Sequence, residues 1–191
     1  MRDTTPGVYL HHQSDLGEFQ LSSDAVIATF IRYAATTRII GQVPRAEHDE
    51  FDRLGYTMGG MMVFPGNRVD GKPTINGARG FNRKISDRMD LTLECVRRHY
   101  RHEDSPLASD LGRYAGFFAL FADFRGYVDF FLLQDLVSND YEAVKFFMPF
   151  HDFNPPAIPG DLDTYLSFRR LSMDFTQARN RRVDLLALNV G

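Results

Sequence analysis

Residues 74–102 read TINGARGFNRKISDRMDLTLECVRRHYRH and gather seven Arg and Lys, three carboxylates, two Asn, two His and the only Cys of the chain. At 3.6 residues per turn, Ile85, Met89, Leu93, Val96 and Tyr100 fall on one stripe. The periodicity predicts one long helix over 74–102, with Thr74 as its cap. Asp87, Asp90, Glu94 and Arg98 gather opposite the stripe, and Leu91 and Cys95 make a second apolar flank. Two accounts of that polar side compete. In the plainer one it is a solvated face, where the Glu94–Arg98 pair at i,i+4 is worth only a few tenths of a kcal/mol. In the sharper one the helix is central because it is apolar on two sides. Its carboxylates are then buried beside arginines, with shifted pKa values.

Working outward, short strands are predicted at 8–12 and 18–21, joined by a turn at 14–17. Ser22 or Ser23 is a candidate cap for a helix over 25–35, carried by Val26, Ile27, Phe30 and Ile31. An acidic helix follows Pro44, covering 46–54 and ending at Gly55. Residues 58–64 read as a buried strand weakened by two glycines, and 65–73 as a polar, Gly-rich loop. Helix is predicted from Ser105-Pro106 to 122 and, with strand as the alternative, over 127–137. Residues 144–148 read as a strand and 154–160 as a proline-rich surface crossing. Asp161 caps a last helix to Leu188, with a break near Asn180. The class is α+β: a mostly helical single domain, 1–191, with a small, mostly antiparallel sheet and a long central helix.

With 191 residues, 43% hydrophobic and 25% charged, the chain can bury one sizeable core. Seventeen Phe and no Trp are present, and ten of the Phe lie between Phe117 and Phe153, which puts the centre of the core there. A net charge of −3 gives no general attraction to nucleic acid or anionic membrane. A single Cys rules out an intrachain disulfide framework and fits a reducing compartment. The first residues, MRDTTPGVYLHH, lack the apolar centre of a secretory signal. The apolar run 114–133 is interrupted by Asp123, Arg125 and Asp129, which disfavours a membrane span. These features together predict a cytoplasmic protein. Twelve of the 22 basic residues lie in 79–101 and 169–182, but the interleaved Asp87, Asp90, Glu94 and Asp174 favour internal ion pairs over a nucleic-acid surface.

For chemistry, a Gly-rich loop leading into a helix N-terminus offers free N–H groups to an anion, with Asn76, Arg79, Asn82, Arg83 and Arg88 close by. The bland alternative is that these residues brace loops. Acid–base work falls to Asp87, Asp90 or Glu94. Gly66 to Lys72 fits the G-x-x-x-x-G-K spacing of a phosphate loop, but Pro73 stands where a Mg²⁺-binding hydroxyl is needed, and Asp70-Gly71 is a common turn. Cys95, His99 and His102 could present three donors to zinc, yet no fourth ligand is evident; a buried Cys and two surface His are the simpler account. The sequence names no cofactor.

The strings TPGVYLHH, GEFQLSSDAV, FPGNRVDGKPTINGARGFN, KISDRMDLTLECVRRHY and FFALFADFRGYVDFFLLQDLV resemble an uncharacterised family of bacterial hypothetical proteins, met near mobile elements. The resemblance spans nearly the whole chain and implies a cytoplasmic, single-domain bacterial protein with no assigned activity. Two function classes follow. One is a small enzyme or ligand-binding domain for a phosphate-bearing or other anionic small molecule. The other is a non-enzymatic protein-interaction or regulatory module with a protein partner, linked to a mobile element, whose polar helices only carry a surface.

Overall fold

The computed structural model describes residues 10–15, 17–154 and 156–190. Strand β1 (Leu10–Ser14) turns back into β2 (Gly17–Ala25), and β2 also pairs antiparallel with β3 (Met61–Pro65), giving the order β1-β2-β3. The second pairing sets Ser22 opposite Phe64, Ser23 opposite Val63 and Ala25 opposite Met61. Ser22 and Ser23 are therefore ladder residues and not helix caps, and the helix expected over 25–35 does not form. Val26 extends the sheet edge by donating its N–H to the Gly60 carbonyl at 2.9 Å. Residues 26–33, rich in β-branched side chains that resist helix, run irregularly into a 3₁₀ turn (Ala34–Thr36) and α1 (Thr37–Ile40). The Thr36 hydroxyl closes this loop by donating to the carbonyls of Phe30 and Tyr33, at 2.7 and 2.8 Å.

Helix α2 (Arg45–Gly55) forms where Pro44 and the acidic run place it. A 3₁₀ turn (Met58–Gly60) then leads into β3. In the following loop Asp70 and Gly71 both have positive φ, 51° and 68°, and the Lys72 N–H donates to the Val69 carbonyl at 3.0 Å. The G-x-x-x-x-G-K stretch is thus an Asp-Gly reverse turn.

The single helix predicted over 74–102 is two helices, α3 (Ile75–Phe81) and α4 (Met89–Tyr100). Thr74 does cap the first, its hydroxyl accepting the Gly77 N–H at 3.3 Å. Between them residues 82–88 unwind. The Asn82 side-chain oxygen accepts the Lys84 N–H at 2.9 Å, and the Ser86 hydroxyl donates to the Arg83 carbonyl at 3.0 Å. Such local bonds compete with helical ones. Ser86 and Asp87 then take left-handed backbone angles, φ 50° and 61°, and no helix continues through them.

The expected long helices after Ser105 are also shorter. They resolve into α5 (Ala108–Gly112), α6 (Ala115–Phe118), α7 (Phe124–Phe130) and 3₁₀ turns at Ala119–Phe121 and Gln134–Leu136. The strand at 144–148 reduces to one bridge, Val137 with Val144. Helix α8 (Leu162–Val190) is capped by Asp161, which accepts the Thr164 N–H at 2.7 Å, and it runs unbroken past Asn180. Asn180 instead pins the 3₁₀ turn before β3: it accepts the Gly59 N–H and donates to the Thr57 hydroxyl, both at 2.7 Å.

Every residue of α4 from Met89 to Val96 is buried, so this helix is the axis of the molecule. Around it lies the Phe-rich cluster foreseen in the sequence, with Phe117, Phe118, Phe121, Tyr127 and Phe131 in mutual ring contact. The fold class is α+β, with a three-stranded antiparallel sheet and mostly helix around it. Close approach of α8 to the 58–60 turn requires glycine, because a methyl at Gly59 would collide with the Thr176 carbonyl oxygen. Gly59→Ala should lower the unfolding free energy by about 1–3 kcal/mol, as overpacking does. Chemical denaturation with unchanged m-value checks it.

Candidate functional site

Arg79 is the largest fully buried side chain of the chain's described residues. It stands one turn after Asn76 on α3, and its Nε donates to the Asn76 Oδ1 at 3.2 Å. One terminal nitrogen donates to Asp24 Oδ2 at 2.7 Å, and the other to Asp87 Oδ1. The guanidinium is 0% exposed, while its two acids are 49% (Asp24) and 29% (Asp87) exposed. A buried cation is thus divided between an acid from the end of β2 and an acid from the helix break. The division leaves Asp87 only partly compensated. Burial raises its pKa above the usual 3.8 despite the Arg79 charge, and the nearby Asp24 adds to the rise.

Asp87 opens into a pocket of about 300 Å³ whose other wall is the irregular segment 27–33. Its polar lining comes from Thr29, Arg32, Tyr33, Ser86 and Asp87. The Tyr33 and Ser86 hydroxyls lie 2.9 Å apart, bridging the two walls. Arg32 donates to the Tyr33 hydroxyl at 3.1 Å and lies over the same ring. Among the described residues it has no carboxylate partner within ion-pair distance. Three non-glycine residues of the lining, Phe30, Ser86 and Asp87, have left-handed backbone angles. Each such residue costs roughly 1–3 kcal/mol and persists only where its surroundings enforce it.

Of the sequence-predicted site residues, the fold brings together Asn76, Arg79 and Asp87. The others go elsewhere. Arg88 forks onto the fully buried Asp90, which also accepts the Phe147 N–H at 2.9 Å. Glu94 is buried and accepts from both Arg97 and Arg98, each Nε at 2.8 Å. These carboxylates are neither solvated nor open to a substrate; they are saturated ion pairs inside the molecule. Asn82 is a brace, donating to the Pro106 carbonyl at 3.3 Å in addition to its turn bond. Arg83 is exposed, and its carbonyl holds the Ala157 N–H at 3.2 Å.

Arg32 and Tyr33 escape the sequence because segment 26–33 has helical spacing, Ser86 because it lies inside the helix predicted over 74–102, and Asp24 because its place is set by the pairing of β2 with β3. The one local signal is Asn82-x-x-x-Ser86-Asp87, three turn-forming side chains inside a supposed helix.

Three arginines of the second basic segment are committed in the same way. Arg169 holds Glu47, Arg182 forks onto Asp135, and Arg179 is spent on backbone carbonyls. Burial lifts the Cys95 thiol to about 12, which leaves it an inert packing group at neutral pH. Among the described residues, no three His, Cys, Asp or Glu side chains are placed to hold a metal ion, and no helix is long and apolar enough to cross a membrane.

No curated protein and no solved structure matches this sequence. Residues 1–183 match the family model described as "Family of unknown function (DUF6994)", and the chain belongs to that family.

Proposed function

We propose that the pocket between segment 27–33 and the 82–88 break binds an anion-bearing small molecule, and that Asp87 exchanges a proton with it. Arg32 is the anion-binding group, since it lines the pocket with donors left over and, among the described residues, no carboxylate within ion-pair distance, although its charge is felt by Asp87. Asp87 is the acid–base group, a carboxyl whose pKa burial raises above the usual 3.8 and which opens into the pocket. Arg79 fixes the carboxylate from behind, and Tyr33 and Ser86 supply hydroxyls to orient the ligand. The observation that carries this is the convergence of Phe30, Ser86 and Asp87, all left-handed, on one pocket that also holds a partly compensated carboxylate. The single Cys fits a reducing, cytoplasmic setting for such a protein.

A thermal-shift screen of the whole chain against phosphorylated and carboxylated metabolites tests it. A true ligand at a hundred times its Kd adds about 2.7 kcal/mol, which raises the midpoint by about 5–10 °C in a chain of this size. The shift should vanish in Arg32→Gln. Hits that survive in both Arg32→Gln and Asp87→Asn, or no hit at all, would overturn the proposal. Silence would favour the interaction-module class, which has exposed Leu185, Leu186 and Leu188 near the end of α8 in its support.

A further inference from the structure

The break between α3 and α4 has a second side. Asp87 and Ser86 face the pocket described above, whereas Lys84 and Arg88 line a separate concavity of about 190 Å³. Three chain segments enclose it: the break with the start of α4, the 148–158 crossing, and the first turn of α8. Its walls are mixed: Leu91, Phe150 and Phe153 are among the apolar groups, and its polar groups are Lys84, His151, Thr164 and the paired Arg88.

The wall is held firmly. Phe153 and its neighbour Asp152 both have left-handed backbone angles, φ 57° and 52°. Phe150 meets Phe153 edge-on at 4.9 Å and stacks on Phe146 at 4.2 Å, with the Arg98 guanidinium over both Phe150 and Phe153.

The charge is lopsided. Of the acids nearby, three are already engaged: Asp90 by Arg88 and the Phe147 N–H, Asp152 by Arg98 at 2.5 Å, and Asp161 by the Thr164 N–H, while Asp163 is exposed. Lys84 and His151 have no acid partner among the described residues. A ring-lined hollow thus carries uncommitted donors. Its volume is below the roughly 300–1,000 Å³ of sites for drug-sized ligands, so one ring fills it.

We propose that this concavity is a second ligand site, for a small anion carrying a single aromatic ring. The ring lies against Leu91, Phe150 and Phe153, and the anionic group meets Lys84 and His151. The proposal does not rest on the Asp87 pocket, and either can fail alone.

Amide chemical-shift titration of the whole isotopically labelled chain tests it, with phenyl phosphate, benzoate, benzyl alcohol and inorganic phosphate as four separate probes. Saturable shifts at Leu91, His151 and Thr164 are expected with phenyl phosphate or benzoate, and the one that binds identifies the anionic group. Lys84 is exposed, so Lys84→Gln should fold normally and weaken that binding about tenfold, the loss of one charged contact of about 1.4 kcal/mol. The site is refuted if these probes shift only Tyr33, Ser86 and Asp87, or shift nothing. It is also refuted if inorganic phosphate binds as tightly as phenyl phosphate, or if benzyl alcohol binds as tightly as benzoate.

Discussion

Arg179→Met should lower the unfolding free energy by about 3–5 kcal/mol, a large share of the 5–15 kcal/mol that holds a typical domain together. Arg179 lies on the buried face of α8 and donates to three main-chain carbonyls: Phe131 at 2.9 Å, Gly59 at 3.1 Å and Met61 at 2.5 Å. Its fork therefore ties α8 to the end of α7 and to both ends of the junction between the 58–60 turn and β3. Burial draws the guanidinium down to about 10, still well above neutral pH, so the charged form is the one buried. Methionine fills much of the space but leaves three carbonyls without their donor, at roughly 1–3 kcal/mol each, offset in part by removal of the buried charge. Arg179→Lys should rescue little, because an ammonium cannot reproduce the planar fork. Urea denaturation of both variants provides the check. A loss below about 1 kcal/mol in Arg179→Met would mean that the carbonyls find other partners.

Asp90→Ala should cost about 3–5 kcal/mol, because it strands the buried Arg88 guanidinium and the Phe147 N–H together. Replacing both partners with apolar residues, Arg88→Met with Asp90→Leu, should recover the part of that loss due to the stranded guanidinium, while the Phe147 N–H stays without its acceptor. Asp87→Asn should behave in the opposite way. The folded-state pKa of Asp87 is raised, so its contribution is most favourable below the usual 3.8 and is lost as pH rises through the folded value. Folding disfavours its ionised form, and because Arg79 keeps Asp24 as a partner, the amide should leave the melting midpoint unchanged or higher. Thermal melts of the three variants separate a structural acid from a functional one in a single comparison.

The same contrast shows how far the sequence could be read. Ile85, Met89, Leu93 and Val96 are buried as their stripe demands, because burial of an apolar stripe depends on spacing alone. Centrality of the helix was also legible, in the second flank of Leu91 and Cys95, and with it the pairing of Asp90 and Glu94. The break was not. Helical spacing is indifferent to whether one turn unwinds, and the bonds that unwind it run from Asn82 and Ser86 to their own neighbours. Segment 26–33 departs from its helical spacing for a different reason. The pairing of Ser22 to Ala25 with β3 spans some forty residues of sequence, and a tertiary ladder overrides the local pattern of Val26, Ile27, Phe30 and Ile31. Both walls of the Asp87 pocket are places where local periodicity and tertiary structure disagree, and functional sites concentrate at such places.

The most direct measurement is a carbon-detected titration of the Asp87 carboxyl in the whole protein, with and without inorganic phosphate. A midpoint above 3.8 that rises further with phosphate is predicted, since an anion held by Arg32 disfavours a second negative charge in the same pocket. A midpoint at or below 3.8 that phosphate leaves untouched would contradict the account. It would make Asp87 an ordinary partner of Arg79 and the pocket a bare fold in the surface.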